Sequence, residues 1–126
     1  MSSLQKIESW FHGKAWKPFP FQYEVWEKYA SGYSGLLNAP TGSGKTFALW
    51  MPAMMEWMEQ EKKPKGLQLL WITPLKALAK DIHLAVQQAT KELGIPWKVE
   101  LRTGDVSSAR KKKQLEKLPD ALITTP

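Results

Sequence analysis

The 126-residue sequence has no cysteine, which excludes a disulfide framework, a thiol nucleophile and any zinc site built on thiolates. His12 and His83 are its two histidines, too few for a metal cluster without carboxylate help. Long apolar runs are also missing. The longest uncharged, mostly apolar stretch is Thr46 to Met55, far short of the roughly 20 residues that span a bilayer. Lys6 and Glu8 fall where a secretory leader would need an apolar core, so no leader is expected. There is no internal repeat and no low-complexity segment. These absences predict a protein of the reducing cytoplasm with no membrane partner.

What is present is ordinary in amount and uneven in sign. Hydrophobic residues make up 43% and charged residues 24%, the balance of a chain that folds. Lys and Arg number 18 against 12 Asp and Glu, a formal net charge of +6, which makes a polyanion such as nucleic acid a reasonable partner. From Lys98 to Lys117 there are seven basic and three acidic residues. The run Arg110 to Lys113 within it is expected to be a solvated helix face.

Apolar spacing gives the order of elements. Leu4, Ile7 and Trp10/Phe11 recur at helical period before Lys17-Pro18-Phe19-Pro20 interrupts. Pro20 opens a second helix through Tyr23, Trp26 and Tyr29 that ends at Gly32. Gly35-Leu36-Leu37-Asn38-Ala39 reads as a buried strand entering a glycine loop, and a helix follows through Phe47, Trp50, Met51, Met54 and Met58 with Pro52 inside it. Leu67 to Ile72 is a second strand. Thr73-Pro74 reads as cap and first residue of a helix that turns Leu75, Leu78, Ile82, Val86 and Ala89 inward. Trp97 to Leu101 is a third strand, Ser107 caps a basic helix reaching Leu118, and Ala121 to Thr124 is a fourth strand. Strands alternating with helices predict a parallel α/β sheet covered on both faces. The sequence ends directly after that last strand, so the sheet is expected to be incomplete.

Ala39-Pro40-Thr41-Gly42-Ser43-Gly44-Lys45-Thr46 matches the Walker A pattern, with Ala39 at the position of its first glycine. Gly42 and Gly44 allow successive backbone N–H groups to turn inward as an anion nest, and the helix beginning near Lys45 adds its positive end. Lys45 is then placed to reach the β- and γ-phosphates, and the Thr46 hydroxyl to coordinate Mg²⁺.

The surrounding motifs resemble those of superfamily 2 helicases. Residues 39–46 are similar to motif I of that group, Pro18-Phe19-Pro20-Phe21-Gln22 to its Q motif, and Thr73-Pro74-Leu75-Lys76-Ala77-Leu78-Ala79 to motif Ia. Thr103-Gly104-Asp105 is similar to motif Ib, and Thr124-Thr125-Pro126 to the T-T-P-E motif. The nearest group by resemblance is the Lhr-type, ligase-associated DExH-box helicases, over essentially the whole chain. This resemblance implies a RecA-like P-loop NTPase fold, with residues 1–34 a helical segment carrying the Q-motif-like region and residues 35–126 part of the ATP-binding domain. It implies ATP and Mg²⁺ as cofactors, held by Gln22, Thr41, Gly42, Ser43, Gly44, Lys45 and Thr46, with Lys45 and Thr46 in the catalytic set. Gln22 would read adenine, since a side-chain amide offers both a donor and an acceptor. Phe11, Trp16, Phe19 and Phe21 are all candidates to stack on the base. Pro74, Leu75, Lys76, Ala77, Thr103, Gly104, Asp105, Thr124 and Thr125 would contact single-stranded or partly duplex DNA, with RNA the second candidate. For Leu75 and Leu78 themselves, packing against the sheet is the better expectation.

The chain has no Asp-Glu neighbours anywhere, so the D-E-x-H box that supports hydrolysis in the resembled family is not in it. The family's arginine fingers lie on a second RecA-like domain. The expected function is therefore the ATP-binding part of an ATP-dependent DNA helicase or translocase, with DNA repair as its setting. Two other classes of function stay open to this sequence. A small phosphate-loop kinase needs lid arginines, and only Arg102 and Arg110 exist. A non-catalytic nucleotide- or nucleic-acid-binding module requires no acidic box.

Overall fold

The computed structural model describes residues 1–39, 44–104 and 106–126. They fall into two compact units, Met1–Lys63 and Pro64–Pro126, so the 34/35 division expected from the sequence lies inside the first.

The first unit is helical. Helix α1 (Ser3–Gly13) starts from a reciprocal cap: Gln5 N–H donates to Ser2 Oγ at 3.1 Å and Ser2 N–H to Gln5 Oε1 at 2.8 Å. Two orphan donors are thereby satisfied. Helix α2 (Pro20–Ala30) opens on proline, whose fixed φ suits the first helical position. Helix α3 (Lys45–Glu59) continues through Pro52. Ile7, Phe11, Trp26, Ala48, Trp50, Met51 and Met54 form the core of this unit. Edge-to-face contacts of Phe11 with Trp26 at 5.7 Å and of Trp10 with Phe47 at 5.2 Å tie the three helices together.

The expected strand at 35–39 does not form. The sheet contains three strands among the described residues, and Leu36 is 95% exposed. An extended segment becomes a strand only by pairing its backbone, and residues 35–39 have no ladder partner among the described residues.

Tyr29 donates its hydroxyl to Glu56 Oε2 at 2.5 Å, joining α2 to α3. Partial burial, that hydrogen bond and the nearby carboxylate charge push the phenol up to about 12 from 10.0. The folded state thus favours the neutral phenol, so the bond stabilises the first unit fully below pH 10.0 and is lost as pH rises through about 12. In an alkaline titration the Tyr29→Phe variant should lack the late phenolate absorbance step that the parent shows. A parent whose tyrosines all ionise together near the ordinary value would contradict this.

The second unit is a parallel sheet with two helices. Strands β1 (Leu69–Ile72), β2 (Val99–Arg102) and β3 (Ala121–Thr124) lie in the order β1-β3-β2, with Leu69 and Val99 both in register with Ala121. The last strand in sequence is therefore central, and Ala121, Leu122 and Ile123 are buried. β1 lies at an edge and leaves Leu70 and Ile72 exposed. Helix α4 (Lys76–Glu92) packs on β2 and β3 through Ala79, Ile82, Val86 and Ala89. His83 hydrogen-bonds the Val99 carbonyl at 3.1 Å, a structural tie. Helix α5 (Ser108–Glu116) is capped by Ser107, as its sequence predicts, and Gln114 Nε2 donates to the Leu101 carbonyl at 3.2 Å. It stops at Glu116 and does not reach Leu118, because Pro119 disfavours helical geometry in the residue before it.

The start of α4 also differs from expectation. Leu75, not Thr73, is its N-cap, with φ −119° and ψ 132°, and Lys76 is its first residue. Pro74 holds Thr73 extended, and Thr73 N–H prolongs the ladder by donating to the Thr124 carbonyl at 3.0 Å. The helix therefore begins two residues later than Pro74. Leu75 and Leu78 are 63% and 43% exposed, so the inward packing expected of them is not found.

Candidate functional site

Two groups of residues have geometry suited to ligands, one in each unit. In the first, Gly44 has φ +88°, in the left-handed region, and is followed by helical Lys45. Left-handed then right-handed backbone turns consecutive N–H groups toward one concave side, which favours an anion. The first α3 bond runs from Ala48 N–H to the Gly44 carbonyl at 3.1 Å. The N–H groups of Lys45, Thr46 and Phe47 precede that ladder and form the positive end of the helix.

Gln22 braces this turn. It is 2% exposed at the third position of α2; its Oε1 accepts from Phe19 N–H at 2.8 Å, and its Nε2 donates to the Gly44 carbonyl at 3.0 Å. A Cβ at Gly44 would lie 2.7 Å from Gln22 Nε2 and 3.5 Å from Phe19 Cδ2, so glycine is required there by closeness as well as by φ. Of the four aromatic residues considered for base stacking, Phe11 is buried in the core, while Phe19 is 50% exposed and stacks on Phe21 at 5.7 Å with 9° between the rings. Trp16, 49% exposed, lies against Trp10 and Phe47. The bracing role of Gln22 was not legible from spacing, because it depends on a contact 22 residues away in the chain. Thr41, Gly42 and Ser43 lie outside the described residues.

In the second unit, the loops after the three parallel strands are joined to one another. Thr73 after β1 donates its N–H to the Thr124 carbonyl at the end of β3. The Thr124 hydroxyl in turn donates to the Arg102 carbonyl, at the end of β2, at 2.8 Å. The Lys76 ammonium nitrogen lies 3.2 Å from where a Cβ on Gly104 would sit, so the segment after β1 crosses over the turn after β2. Thr103 is 3% exposed and accepts from Val106 N–H at 3.1 Å, closing that turn. Pro74, Leu75, Lys76 and Ala77 are all exposed, whereas Thr124 and Thr125 are half-buried. Asp105 lies outside the described residues. The segments expected to contact nucleic acid, distant in sequence, thus meet at the carboxyl ends of the strands, where open parallel sheets usually bind ligands.

Residues 19–126 match the family model described as DEAD/DEAH box helicase. The chain belongs to that family. Among curated DEAD/DEAH relatives, a Lhr helicase and probable uracil glycosylase of Mycolicibacterium smegmatis is 33% identical over 93% of this chain and 8% of its own length. The ATP-dependent helicase Lhr-Core of Methanocaldococcus jannaschii is 33% identical over 95% of this chain and 16% of its own length. The Lhr-type resemblance read from the motifs therefore holds. Among solved structures, the Mycobacterium smegmatis helicase Lhr bound to ssDNA and AMP-PNP superposes with TM-score 0.75 and 33% identity, over 94% of this chain and 16% of that one. The DUF1998 helicase MrfA bound to DNA and AMPPNP gives TM-score 0.81 and 26% identity over 96% of this chain and 16% of that one. The RecA-like helicase fold is thereby established, and the chain spans a small fraction of each relative.

Proposed function

We propose that the chain is the ATP-binding and strand-gripping portion of an ATP-dependent DNA helicase that moves along single-stranded DNA. The observation that carries this reading is the joining of the loops after β1, β2 and β3, which makes one surface of three motifs. Backbone N–H groups at the start of α4 and the Lys76 ammonium suit phosphate oxygens, and such contacts grip a strand without reading its bases. Thr103, Gly104, Thr124 and Thr125 belong to the same surface in this reading, and Asp105, outside the described residues, would act with them.

The first unit would supply the nucleotide site, with Thr41, Gly42, Ser43, Gly44 and Lys45 on the phosphates. Gln22 is buried with Oε1 on Phe19 and Nε2 on Gly44, so it would read adenine through its second N–H and second lone pair only where nucleotide binding opens this turn to the base. Phe19 is best placed to stack on the base, being half exposed beside both Gln22 and Gly44. No group of three or more metal-ligating side chains exists among the described residues, so Mg²⁺ would arrive with the triphosphate. The Thr46 hydroxyl gives it one oxygen ligand, and phosphates and water fill the other positions. We assign the protein to the cytoplasm and to DNA repair on the same reading. Among the described residues no helix is long and apolar enough to cross a membrane.

Binding of fluorescent single-stranded DNA tests the proposal. Gly104→Ala should displace the Lys76 ammonium from its 3.2 Å approach and weaken binding by about threefold to tenfold. Thermal stability should hardly change, because the atom displaced is the tip of a flexible side chain. Lys76→Ala should weaken binding as much and flatten its dependence on salt. DNA binding untouched by both substitutions would overturn the assignment of this surface.

A further inference from the structure

A cavity of about 610 Å³ opens between α1, α2 and α3, entirely within the first unit and distinct from the Gln22–Gly44 turn. Trp26, Ala30, Pro52 and Met55 give it an apolar lining, to which Leu4 and Tyr29, 39% and 41% exposed, are added. Its charged residues are Glu27, Glu56 and Glu59, and no Lys or Arg is among the described residues lining it. Three of the chain's 12 acidic residues are thus collected on one groove of a protein whose net charge is +6. Two of the three are held in place: Tyr29 donates to Glu56 Oε2 and Ser3 Oγ to Glu59 Oε1, both at 2.5 Å. Each of those carboxylates keeps its second oxygen for another donor.

We propose that this groove docks an amphipathic helix of a partner protein, with leucine-like side chains on the apolar floor and Lys or Arg along its flanks. Charge complementarity argues for that occupant. Outside the groove the first unit carries seven lysines against three glutamates, so within that unit a basic helix would be attracted to this acidic groove in particular. Glu56 and Glu59 lie three residues apart on α3, one turn of one helix face. They can therefore meet basic side chains one turn apart on an antiparallel or parallel partner. The inference is independent of the helicase reading, since it uses no residue of either site described above.

The test uses a helical peptide of about 15 residues, built of leucine and lysine with leucines at i, i+3, i+4 and i+7. Binding is followed by the fluorescence anisotropy of a dye-labelled peptide, because the seven tryptophans of the chain would mask a signal from Trp26 in the groove. The cationic peptide should bind, while its glutamate-for-lysine counterpart should be weaker by about tenfold or more. Glu27→Lys reverses the charge of an exposed rim side chain and should cause a similar loss without lowering the melting temperature. Glu56→Gln preserves an acceptor for Tyr29 and should cause a smaller one. Equal binding of both peptides, or of the parent and Glu27→Lys, would overturn the charge argument. Displacement of the peptide by spermidine alone at similar concentration would show a small-amine site and overturn the helix as occupant. Failure of the cationic peptide to bind would end the proposal.

Discussion

Lys45→Ala should lose ATP affinity by about a hundredfold or more while leaving the fold and DNA binding of the protein unchanged. Lys45 is the first residue of α3, directly after left-handed Gly44, so its N–H is among the unpaired donors at the helix start, where the proposed reading puts the phosphates. The substitution keeps the helix N–H donors and the helix dipole and removes the lysine that, in the proposed reading, would reach the β- and γ-phosphates. A nucleotide titration of parent and variant, paired with a melting curve, isolates that contribution. Lys113→Ala, on a helix of the other unit, serves as the charge control and should bind ATP normally. The parent chain should bind ATP without turning it over, because its sequence contains no adjacent Asp and Glu to hold metal and position water. An unchanged affinity in Lys45→Ala, or DNA-stimulated hydrolysis by these 126 residues, would contradict the site as drawn.

Gly44→Ala should be the most destabilising single methyl in the first unit, by about 2–4 kcal/mol. Two separate effects add. An alanine at φ +88° meets the steric penalty of the left-handed region, about 1–2 kcal/mol. The new Cβ also falls 2.7 Å from Gln22 Nε2, and the amide cannot swing away freely, since it is 2% exposed and its Oε1 is held by Phe19 N–H. Its bond to the Gly44 carbonyl is then broken inside the fold. Urea unfolding read by tryptophan fluorescence gives the total. The double variant Gln22→Ala/Gly44→Ala separates the parts, because it relieves the clash and leaves the backbone strain, so the two substitutions should be less than additive. Gly35→Ala, with nothing within 4 Å of the added carbon, should change stability little. Additive behaviour in the double variant would show that Gln22 does not brace the turn.

Much of the architecture was legible because it depends on local chemistry. The apolar period of 3.6 marked the helices, Ser107 was recognisable as a cap, and the pairing of strands with helices predicted a parallel sheet. The reading failed where pairing between distant segments decides. Residues 35–39 look like a strand by composition, yet they have no ladder partner among the described residues and Leu36 is exposed. Thr73-Pro74 resembles a helix start, yet the Thr73 N–H is claimed by the Thr124 carbonyl, and α4 waits for Lys76. Leu75 and Leu78 look like core residues by type. Leu75 is instead the extended N-cap of α4, and Leu78 lies off the face on which Ala79, Ile82, Val86 and Ala89 are buried.

The sequence alone determined which chemistry is present. The glycines and lysine of residues 39–46, the absence of cysteine and the order of the helicase-like motifs are properties of residue type and spacing, and they need no fold to be read. Only the tertiary structure decided which of these groups meet. It buried Gln22 and turned its amide onto the carbonyl of Gly44, brought Lys76 across Gly104, and joined Thr73 to Thr124 by a backbone bond and Thr124 to Arg102 through the Thr124 hydroxyl. The reason is that residue type fixes what a group can donate, accept or fill, whereas the partner it finds depends on chain segments tens of residues away whose separation is set only when the core packs.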